Sequence, residues 1–318
     1  MKRNPSIELF RCLCMFGVCL LHALDQGNFA GPHRGLDNLM TPSVVGFLFI
    51  SGWFGLRLTT KHIVKLLGIG VYCAAVATGL YTFVFLEVRE PFRLLAAFWG
   101  NLSGAWFLWC YLALMLVAPA LEPLFENRNA EADKKATLYR VIPVFVLVFG
   151  WSYAVSKIPV LKDHLPGVNG FGGFGVLTFV GIYLAARLCR LFELNRLLKT
   201  RTLVMAATLS GVVCWIGFMH YHSPFALVFA GSLFLLFERL PMLDSPSSRI
   251  ILWPSPSMFS VYLLHSNSMG MTWLRYFETE MIGNRGHNYY LVCFFVALVC
   301  FAVPILLDLP RRLVSARH

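Results

Sequence analysis

The chain has 318 residues, of which 58% are hydrophobic and only 14% are charged, and its net charge at pH 7 is +11. Its mean hydropathy is +0.66. A soluble globular domain carries roughly a quarter charged residues, so this composition excludes a water-facing surface over most of the chain and favours an integral membrane protein.

Apolar stretches near the length needed to cross a bilayer recur along the whole chain. They fall at about 7–24, 42–57, 64–86, 105–121, 140–156, 172–189, 202–219, 224–238, 257–274 and 289–309. The polar joints between them are too short to fold separately. We therefore predict an all-α, polytopic membrane bundle of about ten transmembrane helices that forms one domain over residues 1–318.

The first apolar stretch follows Lys2 and Arg3, as in a secretory signal peptide. It contains Glu8 and Arg11, however, and no small-residue cleavage pattern follows it. We predict that it is retained as the first span. The nine cysteines form no CxxC pair and lie in or beside apolar stretches, which favours packing thiols over disulfides or a zinc site.

The basic residues of the joints are unevenly distributed. An even number of spans puts both termini on one side, and most of the lysines and arginines fall on that side, including Arg57, Lys61 and Lys65. The positive-inside rule then places both termini in the cytoplasm. The basic excess is thus explained by topology, which argues against binding to nucleic acid.

Ionisable residues are almost absent from the interiors of the predicted spans. The exceptions are Glu8, Arg11 and His22 in the first span and His265 midway through the ninth. A charge in hydrocarbon costs about 2.5–3.5 kcal/mol even on lenient insertion scales. Such side chains usually face the protein interior and have a function.

The spacing of Arg11 and His22 places them on one face of a helix. Eleven residues correspond to about 1100°, or three turns plus about 20°, and to about 16 Å along the axis. Glu8 can neutralise or orient Arg11, and Asp25 can hold the His22 imidazole in one tautomer. One face thus offers a group that binds an anion and a general base, as suits a phosphorylated substrate with a long reactive arm such as acyl-coenzyme A.

Structural interpretations of these four residues remain open. Arg11 at a span end can snorkel to the headgroups, and His22 can bond a carbonyl at the membrane interface. Glu8 can complement the helix dipole, and Asp25 can be an ordinary loop residue.

Four short segments carry a resemblance to a known family. They are Arg11 with His22 after ten intervening residues, 47–53, 105–108 and 259–265. In this order they resemble the Arg-x10-His motif, the Phe-rich Ser-Gly segment, the Trp-aromatic-Leu segment and the Tyr-Leu-x-His segment of acyltransferase family 3. These proteins are bacterial integral-membrane O-acyltransferases that modify surface and secreted carbohydrates, usually with ten spans.

The resemblance implies that Arg11 and His22 are essential and that acyl-CoA, most commonly acetyl-CoA, is the donor on the cytoplasmic side. The acceptor is then a hydroxyl of a cell-envelope carbohydrate, with no permanently bound cofactor. The implied location is the bacterial inner membrane, within the lipid bilayer and with glycan-synthesis proteins as partners.

Other spans offer weaker candidates. For substrate binding these are Ser51, Trp106, Tyr262 and His265. Packing, an interfacial aromatic belt and ties between helices explain the same residues. Arg57, Lys61 and Lys65 can bind the phosphates of the coenzyme, although the positive-inside bias explains them equally well.

Two mechanisms and two other functions are compatible with these residues. His22 can deprotonate the acceptor hydroxyl, which then attacks the thioester, or it can carry the acyl group itself. A transporter or flippase for a lipid-linked sugar would instead line a pathway with Arg11, His22 and His265. A non-catalytic membrane scaffold would use the same polar residues to hold helices together.

Overall fold

The computed structural model describes residues 4–25, 34–85, 91–126, 131–151, 175–217, 221–241, 246–284 and 288–315. These residues fold almost entirely into helices, and no strand occurs among them. The predicted all-α class is therefore confirmed.

The α-helices of the described residues are numbered in chain order. They are α1 (Pro5–Asp25), α2 (Arg34–Met40), α3 (Pro42–Phe54), α4 (Thr60–Phe85), α5 (Pro91–Ser103), α6 (Trp106–Leu121), α7 (Glu131–Phe145), α8 (Val176–Leu191), α9 (Leu194–Leu197), α10 (Thr200–Ile216), α11 (Pro224–Glu238), α12 (Pro246–Leu252), α13 (Met258–His265), α14 (Ser268–Glu278), α15 (Tyr289–Leu307) and α16 (Leu309–Ser315). Short 3₁₀ or π turns lie beside several of them, at Glu122–Leu124, Val146–Trp151, Ser255–Ser257 and Thr279–Asn284.

Within the described residues, four helical stretches are long and apolar enough to cross a membrane. They are Pro5–Leu24, Thr60–Leu80, Trp106–Leu124 and Tyr289–Val314. The helices α10 and α11 are apolar but shorter. These stretches support a membrane protein, whereas the count of ten stays a prediction, because parts of the predicted spans at 140–156 and 172–189 lie outside the described residues.

The predicted ninth span, 257–274, is not one continuous helix. The helix α13 ends at His265, and α14 begins at Ser268. His265, which the sequence places midway along this stretch, is the last residue of a short helix and lies directly before the break.

Asn267 is the physical reason for this break. Its Nδ2 donates to the carbonyl oxygens of Leu263 and Leu264, at 3.2 and 2.9 Å. Its Oδ1 accepts a hydrogen bond from the backbone N–H of Gly270 at 2.7 Å. One side-chain amide thus satisfies backbone groups at the end of α13 and at the start of α14, which would otherwise be unpaired in an apolar interior.

The first helix lies at the centre of the bundle. It packs against α2, α3, α11, α12, α13 and α15, and 67% of its most apolar stretch is buried. Leu13, which is 48% exposed, marks the side turned away from the protein. The ionisable side chains of α1 that the structure describes therefore face other helices rather than lipid.

The helices α3 and α8 approach each other at the level of the backbone. A Cβ on Gly52 would lie 2.8 Å from the carbonyl oxygen of Tyr183 and 2.7 Å from Cβ of Ala186. Only glycine allows this contact without displacement of α8. The close approach also lets Arg190 Nη1 donate to the carbonyl oxygen of Trp53 at 2.7 Å, so that a cation of α8 reaches the end of α3.

Candidate functional site

Arg11 and His22 lie on one uninterrupted helix. Because α1 is continuous from Pro5 to Asp25, the eleven-residue spacing keeps them on nearly the same face, about 16 Å apart along the axis. Arg11 lies near the N-terminal end of α1, and His22 lies in its last turn.

The guanidinium of Arg11 is held by a carboxylate of its own helix. Its Nη1 lies 3.1 Å from Glu8 Oε1 and 2.9 Å from Glu8 Oε2. The hydroxyl of Ser255 donates to the same carboxylate, which ties α1 to the turn before α13. Glu8 thus orients Arg11, as the spacing predicts, and leaves Nε and Nη2 of the guanidinium available to a ligand.

A large cavity opens at the end of the bundle where Arg11 lies. Its volume is about 1080 Å³. Its cationic lining residues are Arg11, Arg57, Lys65, Arg190, Arg311 and Arg312, and no carboxylate is among the described residues that line it. Two of these cations form ion pairs, Arg11 with Glu8 and Arg311 with Asp308. The others keep an excess of positive charge, so the cavity favours a polyanionic ligand.

Arg311 is fixed by a fully buried carboxylate. Its Nε and Nη2 donate to the two oxygens of Asp308 at 2.6 and 2.7 Å, and Ser260 donates to the same carboxylate at 2.8 Å. Asp308 is 0% exposed. A bidentate pair of this kind sets the orientation of the guanidinium before any ligand arrives.

A second cavity of about 690 Å³ adjoins the first. The two share Arg57 and Arg190 together with the loop that follows α3. Its wall contains Glu122, which accepts hydrogen bonds from the Tyr183 hydroxyl and from Arg187, the latter at 2.6 Å. The two cavities therefore form a wide polar entrance around Arg57.

His22 contacts a second histidine at the other end of the site. Its Nδ1 lies 3.0 Å from Nε2 of His265, and the ring centroids are 5.0 Å apart. His265 is buried, with only 3% of its surface exposed. The short helix α13 therefore ends on a buried imidazole that lies beside His22, the residue that the sequence identifies as the candidate base.

Aromatic side chains connect the cavity with the histidine pair. The Ser51 hydroxyl lies 3.1 Å from the Tyr111 hydroxyl, and both residues line the cavity. Phe107 stacks on Tyr111 at 6.0 Å between centroids and lies 5.1 Å from the ring of Tyr262. The Tyr262 ring in turn lies 6.1 Å from that of His265. A row of packed aromatic rings thus links Tyr111, at the edge of the polar cavity, to His265.

The other predicted site residues occupy different places. Lys61 is exposed and does not line the cavity. Trp106 packs on Phe107, Phe179 and Tyr221, as an aromatic packing residue does. The side chain of Asp25 lies outside the described residues, and the partner that the structure gives to Nδ1 of His22 is His265.

Several lining residues were not among the sequence-based candidates. Arg190, Arg311, Arg312 and Tyr111 come from helices far apart in the chain. The sequence contains one indication of the three arginines, because they belong to the excess of basic residues on the side of the termini. That excess does not show which of the cations share a cavity.

Comparison with known proteins places the chain in a family. The sequence profile of acyltransferase family 3, described as an acyltransferase domain, matches residues 4–307, which is nearly the whole chain. This chain belongs to acyltransferase family 3. No curated protein and no solved structure matches it.

Family membership makes the protein a membrane acyltransferase. It favours the enzyme over the transporter and scaffold interpretations, and the matched range contains both Arg11 and His22. In an acyltransferase, a polycationic cavity and a pair of imidazoles deeper in the same bundle have complementary uses, since the cavity can hold a charged donor and an imidazole can move a proton.

Proposed function

We propose that this member of acyltransferase family 3 transfers an acyl group, most commonly acetyl, from acyl-CoA to a hydroxyl of a cell-envelope carbohydrate. The protein would lie in the bacterial inner membrane with both termini, and therefore the cationic cavity, on the cytoplasmic side. The observation that carries the proposal is the polycationic cavity at the Arg11 end of the helix whose other end bears His22.

The cavity fits the charged part of the donor. Coenzyme A carries a phosphate monoester and a diphosphate, whose oxygens match arginine and lysine donors. Arg11 and Arg311 are already oriented by Glu8 and Asp308. With the head group bound there, the pantetheine arm would extend from the Tyr111 side of the cavity into the bundle, towards His22.

His22 then handles the proton of the reaction. It accepts the proton of the acceptor hydroxyl while the hydroxyl oxygen forms a bond to the thioester carbonyl carbon. The tetrahedral centre collapses, the carbon–sulfur bond breaks, and the CoA thiolate leaves and takes up the proton that His22 had accepted, which returns His22 to its neutral form. The products are an ester and free CoA, so atoms and charges balance without a metal or redox cofactor.

Replacement of His22 by Ala tests the proposal. Cells that produce wild-type protein should carry more O-acetyl groups on their surface glycan, by mass spectrometry, than cells without it. The variant His22→Ala should reduce this gain by about 10²–10⁴-fold, as expected for loss of a general base, with the amount of membrane-inserted protein unchanged.

A matched control and a radiochemical assay complete the test. Leu13→Ala changes the same helix on its exposed side and should keep full activity. Inverted membrane vesicles given [¹⁴C]acetyl-CoA should incorporate label that mild base releases, because esters are labile. Equal glycan acetylation with and without the protein, or full activity of His22→Ala, contradicts the proposal.

A further inference from the structure

His265 has a hydrogen-bonding pattern that determines where its proton lies. Its Nδ1 is 2.6 Å from the carbonyl oxygen of Val261, one turn earlier in α13. A carbonyl oxygen only accepts hydrogen bonds, so Nδ1 must carry the proton. The other nitrogen of the neutral ring, Nε2, then has only its lone pair. Cys19 Sγ, 3.9 Å from Nδ1, is too distant to compete with the carbonyl.

The protonation of His265 in turn determines the tautomer of His22. The lone pair of His265 Nε2 faces His22 Nδ1 at 3.0 Å, and two lone pairs at this distance would repel. His22 must therefore donate from Nδ1, which leaves the lone pair of the neutral ring on its Nε2. The chain of bonds runs from His22 through His265 to the Val261 carbonyl.

We propose that His265 is a positioning residue for the acyl transfer, since it holds His22 in the tautomer whose Nε2 is the base. This inference rests on the proposed function. When Nε2 of His22 takes the acceptor's proton, the bond from Nδ1 is retained, and His265 with the Val261 dipole behind it stabilises the new charge. The role is that of the carboxylate beside a catalytic histidine, performed by a neutral ring.

The position of His265 supports a role beyond packing. A buried residue that only filled space would need no polar ring, and burying a second imidazole beside the first costs free energy unless both are hydrogen-bonded. His265 is presented at the end of α13 by the Asn267 break, which directs its ring at α1.

Two substitutions separate positioning from packing. The variant His265→Leu keeps volume but has no acceptor for His22 Nδ1, so kcat should fall about 10- to 100-fold, as for other hydrogen-bonding partners of functional histidines. The KM for acetyl-CoA should stay unchanged, because the cavity is untouched. The variant His265→Gln places an amide oxygen near the position of Nε2 and should recover most of kcat.

Solid-state ¹⁵N NMR of histidine-labelled protein in bilayers provides a readout that needs no turnover. Wild-type His22, assigned by its loss in His22→Ala, should show a protonated Nδ1 and an unprotonated Nε2, and His265→Gln should keep this pattern. A protonated Nε2 in the wild type, wild-type kcat in His265→Leu, or equal loss in His265→Gln overturns the positioning role. If His22 shows the expected tautomer but the protein transfers no acyl group, the proposed function is refuted and the contact between His265 and His22 is not.

Discussion

Arg57 and Lys61 are four residues apart and both exposed, yet Arg57 lines the cationic cavity and Lys61 does not. No carboxylate pairs with Arg57 among the described residues. If the cavity binds the coenzyme's phosphates, Arg57→Gln should raise the KM for acetyl-CoA roughly tenfold, the loss expected for one charge-assisted hydrogen bond. Steady-state kinetics on proteoliposomes measure this change.

Lys61→Gln is the matched control for Arg57→Gln. Both substitutions remove one positive charge from the same end of the molecule, so a general electrostatic effect would raise both KM values equally. We expect the KM of Lys61→Gln to stay within about twofold of wild type, because the exposed Lys61 side chain does not line the cavity and salt weakens the interactions of exposed charges. Equal effects of the two variants would argue against a defined phosphate site.

The sequence was sufficient for the part of the site that one helix carries. The eleven-residue spacing places Arg11 and His22 on one face, and the three-residue spacing pairs Glu8 with Arg11. It was not sufficient for contacts between helices. Nothing local in the sequence says that His265 meets His22 across 243 residues, or that Arg311 shares a cavity with Arg11, because both depend on how the bundle packs.

At the scale of elements, Gly270 controls the turn between α13 and α14. A Cβ there would lie 2.3 Å from the carbonyl oxygen of His265, a distance that real atoms avoid, so the backbone after His265 must move. Gly270→Ala should therefore displace the His265 ring and lower kcat by about 10- to 100-fold, with the KM for acetyl-CoA little changed. Kinetics in proteoliposomes provide the measurement.

Gly79→Ala provides the control for this substitution. Gly79 lies within α4, and no atom is within 4 Å of the position that its Cβ would take. The change should leave kcat unaltered and stabilise the helix by about 0.5–1 kcal/mol, since alanine loses less backbone entropy than glycine. Wild-type kcat in Gly270→Ala would show that the tight turn does not position His265.

Hydropathy predicts where helices lie but not where they break. In the stretch 257–274, apolar residues lie on both sides of the polar residues 265–268, and we predict a single span from it, yet α13 and α14 are separate helices. The break depends on an asparagine amide that bonds backbone groups on both sides. A side chain that replaces backbone hydrogen bonds leaves little trace in an average of hydropathy, although Asn267 and Gly270 are local hints of a turn.

At the scale of the whole molecule, six cationic side chains of the described residues line one cavity. The cationic residues that line the cavity come from the first half of α1, the segment after α3, the start of α4, the end of α8, and α16. The positive-inside rule predicts cations at the cytoplasmic end of the bundle. Binding of the proposed polyanionic donor would need cations at that same end. One distribution of charge would orient the protein in the membrane and attract acyl-CoA on the side where it is made.

The orientation of the chain can be tested with single cysteines. Leu197, in α9, is 69% exposed and follows the end of α8 that carries Arg190. Phe92, at the start of α5, is 87% exposed and follows the end of α4 that is distant from the cavity. A membrane-impermeant maleimide should label Leu197→Cys in inverted vesicles and Phe92→Cys in spheroplasts. Labelling of the wild-type protein measures the background from its nine native thiols, and this background is subtracted.

The reverse labelling pattern would put the cationic cavity on the outer side, away from cytoplasmic acyl-CoA. It would contradict the proposed donor even if His22 proved essential, because Arg11, Arg57 and Arg311 would then face a compartment without it. The expected pattern instead gives the long helix α1 its purpose. Its Arg11 end would then meet the proposed donor in the cytoplasm, and its His22 end, about 16 Å deeper, would lie where the thioester could meet a hydroxyl that arrives from the other side.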